Sequence, residues 1–336
     1  MFAGIFQTTG REFLRGWNLL LTIRVAHEIF GSDENSIRRF LRMKILILGA
    51  RGRLAAALAR IWSSPHEVAC LSRAEVDIAD LGALDRALAA QEFDVLVNGS
   101  GMTNVDACET QREEARAVNA LAPAVMAAAA RDKGARFIHF STDYVMDGLK
   151  TTPISEEDPA HPLGWYGQTK LAGEQAVLAD GASHLVVRVC WVFGPDKPSF
   201  VDMMIERART NPRVEAVADK FSSPTYTCDV PGWIEPFFSL SLPGGLYHAC
   251  NSGGCSWREY AEFALQCASE SGVPLATTTV EPLKLKDMKA FLAPRPVHTV
   301  LSTEKIRRVT GISPRPWQEA LREYIHKKYA PLPSSL

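Results

Sequence analysis

The chain has 336 residues, of which 46% are hydrophobic and 22% are charged, and its formal net charge at pH 7 is −1. This composition is typical of a soluble globular protein, and because there is no long basic run we expect neither a nucleic-acid partner nor a membrane partner. The seven cysteines are scattered without a Cys-x-x-Cys pair, which argues against a zinc site or a disulfide framework and favours a cytoplasmic location.

The first 42 residues differ in character from the rest of the chain. Their apolar run at residues 19–23 is too short to span a membrane and ends at Arg24. We interpret residues 1–42 as a loosely ordered extension, or as an upstream start with Met43 as the natural first residue. The alternative is an amphipathic helix that packs on a partner or on the domain itself.

A glycine-containing turn follows the first predicted strand. The strand is the apolar run Lys44-Ile-Leu-Ile-Leu48, and the turn has the spacing G-x-x-G-x-x-A over Gly49, Gly52 and Ala55. Gly49 permits a tight turn, Gly52 lets backbone amides approach a pyrophosphate, and the small Ala55 lets the next helix pack closely on the strand. Between a strand and a helix, this pattern predicts a dinucleotide site at the helix N-terminus.

Strands and helices alternate after this turn. Strands are predicted at residues 44–48, 67–71, 94–98, 136–140 and 184–189, and helices up to Trp62 and at 81–90, 113–133, 166–178, 257–271 and 317–327. The alternation predicts an α/β fold, with a Rossmann-type doubly wound parallel sheet as the NAD(P)-binding domain in residues 43–190. Residues 191–336 are predicted to form mostly a smaller C-terminal substrate-binding lobe, with a strand near 246–249 that returns to the main sheet.

The end of the second predicted strand bears on the choice of cofactor. It lacks the acidic residue that usually grips an adenosine ribose 2′-hydroxyl. Ser72 and Arg73 are placed to receive a 2′-phosphate instead, with Arg51 or Arg53 expected nearby. We therefore favour NADPH, with NADH as the alternative. The other interpretation of Arg73 is a solvated loop charge.

Polar residues follow the fourth predicted strand, and a tyrosine and a lysine open the next helix. The polar cluster is Ser141-Thr-Asp-Tyr-Val-Met-Asp-Gly148, and a purely structural loop needs no such cluster. Tyr166 and Lys170 are four residues apart, so a helix stacks them on one face. A nearby ammonium lowers the pKa of a phenol, and such a tyrosine can exchange a proton near neutral pH. Thr142 ends the strand, so its hydroxyl and that of Tyr166 are placed to meet one carbonyl.

With these motifs in hand, the chain resembles the extended short-chain dehydrogenases/reductases, and within them the dTDP-4-dehydrorhamnose reductase family. The resemblance runs from Met43 nearly to the C-terminus. Its segments are Ser141-Thr-Asp-Tyr-Val, Trp165-Tyr-Gly-Gln-Thr-Lys-Leu-Ala-Gly-Glu, Cys190-Trp-Val-Phe-Gly, Asp219-Lys-Phe-Ser-Ser-Pro-Thr225, Gly245-Leu-Tyr-His248 and Ala293-Pro-Arg-Pro296 with Thr303-Glu-Lys305. The glycine turn and the Tyr-x-x-x-Lys spacing identify only the superfamily, whereas the other segments narrow it to this branch.

The resemblance implies a role for each matching residue. Tyr166 is expected to be the proton donor, Lys170 its partner that also holds the nicotinamide ribose, and Thr142 a hydrogen-bond donor to the carbonyl oxygen. Asp143 and Trp191 are expected to contact the deoxysugar. For Trp191 the alternative is a plain core aromatic at a strand end.

The resemblance also implies a set of cofactor contacts. Besides Tyr166 and Lys170, the expected cofactor-binding residues are Gly49, Gly52, Arg53, Leu54, Arg73, Asp77, Ile78, Ser100, Gly101 and Thr103. Asp77 and Ile78 would meet the adenosine, although an ordinary turn explains them equally well. After the third strand the family usually has an Asn-Ala-Ala-Ala type segment, whereas this chain has Asn98-Gly-Ser-Gly-Met-Thr103, whose small residues still permit close cofactor approach. Ala56 and Ala57 stand where some relatives have an acidic residue of a metal-linked dimer, so we expect no metal.

The activity implied by the resemblance is NADPH-dependent reduction of the C4 carbonyl of dTDP-4-dehydro-L-rhamnose to dTDP-L-rhamnose. The expected partner is a small-molecule nucleotide sugar, and the protein is expected to be a monomer or a homodimer. Two alternatives stay open. One is another nucleotide-sugar reductase or epimerase of the same superfamily, and the other is a non-catalytic NADP-binding regulatory subunit.

Overall fold

The computed structural model describes residues 42–329, so the predicted N-terminal extension lies outside the described residues apart from Arg42. Up to Val189 the elements are β1 (Lys44–Leu48), α1 (Arg53–Trp62), β2 (Glu67–Leu71), α2 (Leu81–Ala89), β3 (Val95–Asn98), α3 (Val105–Thr110), α4 (Arg112–Arg116), α5 (Ala122–Asp132), β4 (Arg136–Thr142), α6 (Trp165–Asp180) and β5 (Leu185–Val189). After Val189 they are β6 (Val192–Phe193), α7 (Phe200–Thr210), β7 (Val214–Val217), β8 (Phe221–Ser222), β9 (Thr225–Tyr226), α8 (Val230–Ile234), β10 (Gly245–His248), β11 (Cys255–Ser256), α9 (Trp257–Glu270), β12 (Val280–Leu283), β13 (His298–Thr299), α10 (Glu304–Thr310) and α11 (Trp317–Tyr329).

The central sheet has six parallel strands in the order β10-β5-β4-β3-β1-β2. Alternate residues of β1 enter two different cores, because successive side chains of a strand point to opposite faces. Ile45 and Ile47 pack with α1, α8 and α10, whereas Leu46 and Leu48 pack with α2, α5 and α6. The doubly wound α/β prediction is therefore confirmed, and the carboxyl ends of the strands share one edge.

The strand that we expected near residues 246–249 does return to this sheet. It is β10, which pairs in parallel with β5 so that His248 lies beside Arg188. Two helices after residue 190 also pack on the main sheet, through Val230 and Ile234 of α8 and Ile306 of α10. The remaining elements after residue 190 form a second lobe. The division of the chain at residue 190 stays a prediction.

The helix that we expected at residues 113–133 is not continuous. It consists of α4 and α5 joined by a π-helical turn at Ala117–Leu121, and the preceding α3 was not expected. In the turn, the Asn119 side chain accepts a hydrogen bond from the Met102 N–H at 2.9 Å and donates one to the Met102 carbonyl at 3.0 Å. Gly173 of α6 lies so close that a Cβ on it would be 2.2 Å from the Asn119 carbonyl oxygen. These tertiary contacts decide the local helix geometry, and helical periodicity does not reveal them.

The second lobe has its own core between α7, α9 and α11. Three small sheets border it: β7 with β12, β6 with β9, and β8 between β11 and β13. Within residues 42–329 no helix is long and apolar enough to cross a membrane. The same residues contain no group of three or more histidine, cysteine, aspartate or glutamate side chains that could hold a metal ion.

Candidate active site

A cleft of about 680 Å³ runs along the carboxyl edge of the central sheet. It is lined by Ser72 and by the residues that the sequence predicts as catalytic, cofactor-binding or substrate-binding, namely Gly49, Gly52, Arg53, Leu54, Arg73, Asp77, Ile78, Ser100, Gly101, Thr103, Thr142, Asp143, Tyr166, Lys170 and Trp191. The parallel topology therefore brings the predicted residues together, and the role of each stays a prediction.

The turn between β1 and α1 has no room for side chains at its glycines. Gly49 has a φ of +81°, and a Cβ on it would lie 2.7 Å from the backbone nitrogen of Ser100. The Gly52 N–H donates to the Gly49 carbonyl at 2.7 Å and closes the turn. Gly99, just after β3, packs on α1 so tightly that a Cβ on it would lie 2.8 Å from the Cβ of Ala55. A glycine at position 99 thus lets the loop after β3 approach the helix closely.

The N-terminus of α1 opens onto this turn. Gly52 is its N-cap and, having no side chain, makes no side-chain capping hydrogen bond. The first N–H groups of a helix lack intrahelical partners, and together with the helix dipole they favour an anion. The turn and the helix end therefore suit a phosphate group.

The Arg53 side chain, which we expected at the cofactor, is engaged elsewhere. Its guanidinium nitrogens donate to backbone carbonyls of the second lobe, at Val192 (2.9 Å), Lys197 (3.1 Å) and Pro198. The Arg53 side chain thus bridges the two lobes, and its backbone remains part of the cofactor turn.

The predicted adenosine end of the cleft carries charges that already have partners. The Ser72 N–H donates to the Glu75 carboxylate at 2.7 Å, and the Ser72 hydroxyl donates to the same oxygen, Oε2. Arg73 is exposed and pairs with Asp77 at 3.2 Å and with Glu114 at 3.5 Å. Exposed ion pairs contribute about 0–1 kcal/mol, so Arg73 can leave them for a phosphate at little cost. Of the two expected 2′-phosphate contacts, Arg73 is thus the more available.

Tyr166 lies in the first turn of α6, and close packing holds it there. A Cβ on the neighbouring Gly167 would be 2.2 Å from the Tyr144 carbonyl oxygen, so only glycine lets α6 approach this loop. The Tyr144 ring meets the Tyr166 ring edge-on, with 5.6 Å between centroids. Burial raises the pKa of Tyr166 above its ordinary value, and a hydrogen bond with the Thr142 side chain opposes this only in part. The phenol is therefore protonated at neutral pH.

Lys170 lies one helical turn beyond Tyr166 and is buried. Its Nζ donates to the Phe140 carbonyl at 2.7 Å and lies 3.3 Å from His139 Nε2. Burial lowers the pKa of Lys170 to about 8. We expected Lys170 to lower the pKa of Tyr166, but burial raises that pKa, and the influence that opposes the rise is the hydrogen bond with Thr142. The pair thus combines a neutral acid with a cation that is easily deprotonated.

Two buried polar residues beneath Lys170 were missed at the sequence level. The Asn98 side chain lies with Nδ2 3.0 Å from His139 Nδ1, and its Oδ1 accepts from the Ser100 N–H at 3.0 Å. A chain of close polar contacts therefore joins the loop after β3 to Lys170. The signal in the sequence was a histidine and an asparagine inside otherwise apolar strands, where polar side chains need partners.

Asp143, an expected sugar contact, is buried and directs its carboxylate at several hydroxyls. Oδ2 accepts from Ser222 Oγ at 3.0 Å and from Thr299 Oγ1 at 2.6 Å, and Oδ1 accepts from Thr142 Oγ1 at 3.2 Å. Asp143 thus joins Thr142 to two strands of the second lobe. Ser222 and Thr299 were not among the predicted site residues, although Ser222 lies in the resemblance segment at residues 219–225, whereas no local pattern distinguishes Thr299.

Trp191 packs against the second lobe and also lines the cleft, and its contact with the sugar stays a prediction. Its ring stacks on Tyr260 with 5.9 Å between centroids and lies 5.8 Å from the Trp257 ring. It also lines the cleft, and its buried Nε1 has no hydrogen-bond partner within the described residues. A buried N–H without a partner is costly, so this group suits an oxygen of a bound molecule.

The family described as RmlD substrate binding domain matches residues 43–330 of this chain. The chain belongs to this family. Among its relatives is the spore coat polysaccharide biosynthesis protein SpsK of Bacillus subtilis, 35% identical over 286 residues that make up 85% of this chain and 98% of the relative. Another is the dTDP-4-dehydrorhamnose reductase of Mycolicibacterium smegmatis, 36% identical over 300 residues, or 88% of this chain and 89% of the relative.

A solved structure agrees with this membership. The dTDP-4-dehydrorhamnose reductase from Bacillus anthracis, determined in complex with NADP, superposes with a TM-score of 0.78 and is 26% identical in sequence. The match covers 85% of this chain and 99% of the other. Over the matched residues this RmlD family member therefore shares its fold with a structure that holds NADP.

Proposed function

We propose that this protein is an NADPH-dependent reductase that converts the C4 carbonyl of dTDP-4-dehydro-L-rhamnose to the alcohol of dTDP-L-rhamnose. The observation that carries the proposal is the meeting of Tyr166, Lys170 and Thr142 in the cleft that also holds the glycine turn. The family membership and the relatives named as reductases of this substrate support it. A cytoplasmic location is part of the same proposal.

The cleft fits the cofactor that the proposal requires. Gly49 and Gly52 form a cradle that a Cβ at Gly49 would fill, and the N-terminus of α1 presents N–H groups there. Arg73 at the other end is available to a 2′-phosphate, which distinguishes NADPH from NADH. When bound, the cofactor supplies the hydride for carbon C4 of the sugar. Everything else in the reaction falls to the residues of the protein.

Tyr166 gives its proton to the C4 oxygen of the sugar. Its raised pKa keeps the proton in place until negative charge develops on that oxygen. The transfer leaves a phenolate, which Lys170 stabilises from the next turn of α6. Because the pKa of Lys170 is about 8, this side chain is charged in most molecules at pH 7. The attraction between Lys170 and Tyr166 becomes strong only as the phenolate forms. It therefore stabilises the transition state more than the bound substrate, as catalysis requires.

Thr142 stabilises the same oxygen as a hydrogen-bond donor. In the free protein its hydroxyl donates to Asp143 at 3.2 Å, a long contact that it can exchange for the sugar oxygen. Asp143 keeps its two shorter hydrogen bonds from the second lobe when this happens. Trp191 offers its free indole N–H to another sugar oxygen. Asp143 thus holds the Thr142 hydroxyl in the free protein and releases it to the sugar, besides any contact of its own with the sugar.

The test is NADPH oxidation with dTDP-4-dehydro-L-rhamnose, followed by absorbance, with NADH in parallel. Tyr166→Phe should lower kcat by about 10²–10⁴-fold and affect NADPH binding far less, since the proton donor is lost and the ring is kept. Tyr144→Phe is the matched control, because it removes a neighbouring phenol that has no proton to give in this mechanism, and it should keep kcat within about tenfold of the wild type.

Each arm has an outcome that contradicts part of the proposal. If the wild-type protein ignores this sugar but reduces another nucleotide-linked 4-ketosugar, the substrate is wrong. If Tyr166→Phe turns over like the wild type, the mechanism is wrong. A strong preference for NADH would remove the phosphate role of Arg73.

A further inference from the structure

Trp191 has a backbone conformation that its surroundings must hold in place. Its φ of +42° is the only positive φ of a non-glycine residue between residues 42 and 329. A bulky side chain is strained in this region, and such strain persists only where neighbouring contacts over-determine the backbone. Because Trp191 lies just after β5 and lines the cleft, the contacts that hold it also shape the site.

Two hydrogen bonds of the second lobe hold the backbone around Trp191 from one side. The Trp191 carbonyl accepts from the Thr225 N–H at 3.4 Å, and the Phe193 carbonyl accepts from the Thr227 N–H at 2.9 Å. The Val192 carbonyl between them is not used by this pairing. It accepts instead from Arg53 Nη1 at 2.9 Å.

Arg53 binds the segment after Trp191 at three points. Besides Val192, its guanidinium donates to the carbonyls of Lys197 at 3.1 Å and of Pro198. A planar guanidinium with donors in a fixed fork is suited to hold several acceptors in one geometry. Since Arg53 directly follows Gly52, its backbone belongs to the cofactor turn while its side chain secures the loop that carries Trp191.

We propose that the Arg53 side chain is a positioning residue for Trp191, and through it for the sugar end of the cleft, rather than a ligand of the cofactor phosphates. This rests on the proposed function, in which Trp191 contacts the sugar. This interpretation accounts for three observations at once. They are the three carbonyls bound by Arg53, the strained backbone of Trp191 beside them, and the indole N–H of Trp191 that has no partner within the described residues. Arg53, the first residue of α1, thereby connects the cofactor turn, through its backbone, to the sugar site, through its side chain.

Arg60 provides a matched control on the same helix. It pairs with Asp196 at 3.2 Å, in the loop that Arg53 also holds, but it contacts none of the three carbonyls. Half of its side chain is exposed, so the ion pair contributes little. Arg60→Met thus removes a positive charge and a lobe-to-lobe contact without releasing the Val192 carbonyl.

The experiment compares Arg53→Met, Arg53→Lys and Arg60→Met by hydrogen–deuterium exchange, NADPH binding and steady-state kinetics. In Arg53→Met the amides of Thr225 and Thr227 should exchange about tenfold faster, and the KM for the nucleotide ketosugar should rise about tenfold. The Kd for NADPH should stay within about twofold, and kcat should change less than KM. Arg53→Lys should be intermediate, because one ammonium cannot serve three carbonyls in one plane. Arg60→Met should match the wild type.

Two results would overturn the proposal. The first is weaker NADPH binding with an unchanged KM for the sugar, which would make Arg53 a phosphate ligand. The second is unchanged exchange at Thr225 and Thr227 in both Arg53 variants. If the wild type does not reduce the sugar, the proposed function fails, and the exchange at these two amides still decides whether Arg53 holds the loop. If Arg53→Met does not fold, Arg53→Lys carries the same comparison.

Discussion

Replacing Lys170 with methionine should abolish most of the activity and yet make the cofactor-free protein more stable at pH 7. Lys170 is 4% exposed, and its Nζ donates one hydrogen bond to a protein oxygen, the Phe140 carbonyl. The carboxylate that favours the charged form of Lys170, Glu174, is already bound by Arg188 at 2.7 and 2.9 Å. A buried ammonium with so little compensation destabilises the folded state.

The size of this destabilisation follows from the pKa of Lys170. Burial lowers this pKa from 10.5 to about 8, which corresponds to about 3 kcal/mol of destabilisation at pH 7. Methionine has a similar length and no charge, so the substitution removes this cost. It also leaves the Phe140 carbonyl without its donor, which costs about 1–2 kcal/mol. We therefore expect Lys170→Met to raise the free energy of unfolding by about 1–2 kcal/mol at pH 7.

The advantage of Lys170→Met should shrink as the pH rises. Below pH 8 the lysine is charged in both the folded and the unfolded protein, so the wild type carries the full burial cost. Between about 8 and 10.5 the folded protein releases the proton first, and the wild type gains stability relative to the variant. Lys220, whose pKa burial also lowers to about 8, is present in both proteins and cancels from the difference.

The assay is urea unfolding of both proteins at pH 7 and at pH 9.5, with activity measured alongside. Activity should fall at least about 10²-fold, because the charge that stabilises the phenolate is gone. A variant that is less stable than the wild type at pH 7 would refute the reasoning. So would a stability difference that does not change between the two pH values, because the lysine would then carry no burial cost.

Three further substitutions test the cofactor turn, the phosphate preference and the joint between the lobes. Gly49→Ala should weaken NADPH binding at least about tenfold and destabilise the fold by about 1–3 kcal/mol, because φ is +81° and a Cβ would clash with the Ser100 backbone; unchanged fluorescence titration with NADPH would contradict this. Arg73→Ala should raise the KM for NADPH about tenfold and leave that for NADH unchanged, as a charged contact to a 2′-phosphate would be lost; equal effects on both cofactors in steady-state kinetics would argue against the contact. Asp143→Leu should lower the free energy of unfolding by about 3 kcal/mol, since the buried hydroxyls lose a charged acceptor and those of Ser222 and Thr299 keep only backbone carbonyls at 3.2 Å; Asp143→Asn, which keeps one acceptor oxygen, should lose less in urea unfolding, and equal losses would rule out the carboxylate as the joint.

The sequence by itself determined the central sheet and the place of the site. The strand β1 has the predicted bounds, because a continuous run of branched apolar residues is a local property of a buried parallel strand. The strand β2 also has the predicted bounds, although it lies at the edge of the sheet and is largely exposed. Gly49, Tyr166 and Trp191 are far apart along the chain, yet all were expected at strand ends or in the helix that follows one. The carboxyl ends of parallel strands meet at one edge of a sheet, so the sequence alone predicts that the three residues share one cleft. All three do line the same cleft.

Only the tertiary structure decided where individual side chains of that cleft are directed. The Arg53 guanidinium binds carbonyls more than a hundred residues away, and the Asp143 carboxylate binds Ser222 and Thr299, so neither direction has a local signal. The spacing of Tyr166 and Lys170 predicted their contact along a helix but not their burial. Burial raises the one pKa and lowers the other, and it arises from elements packed around α6 rather than from the residues of α6 themselves.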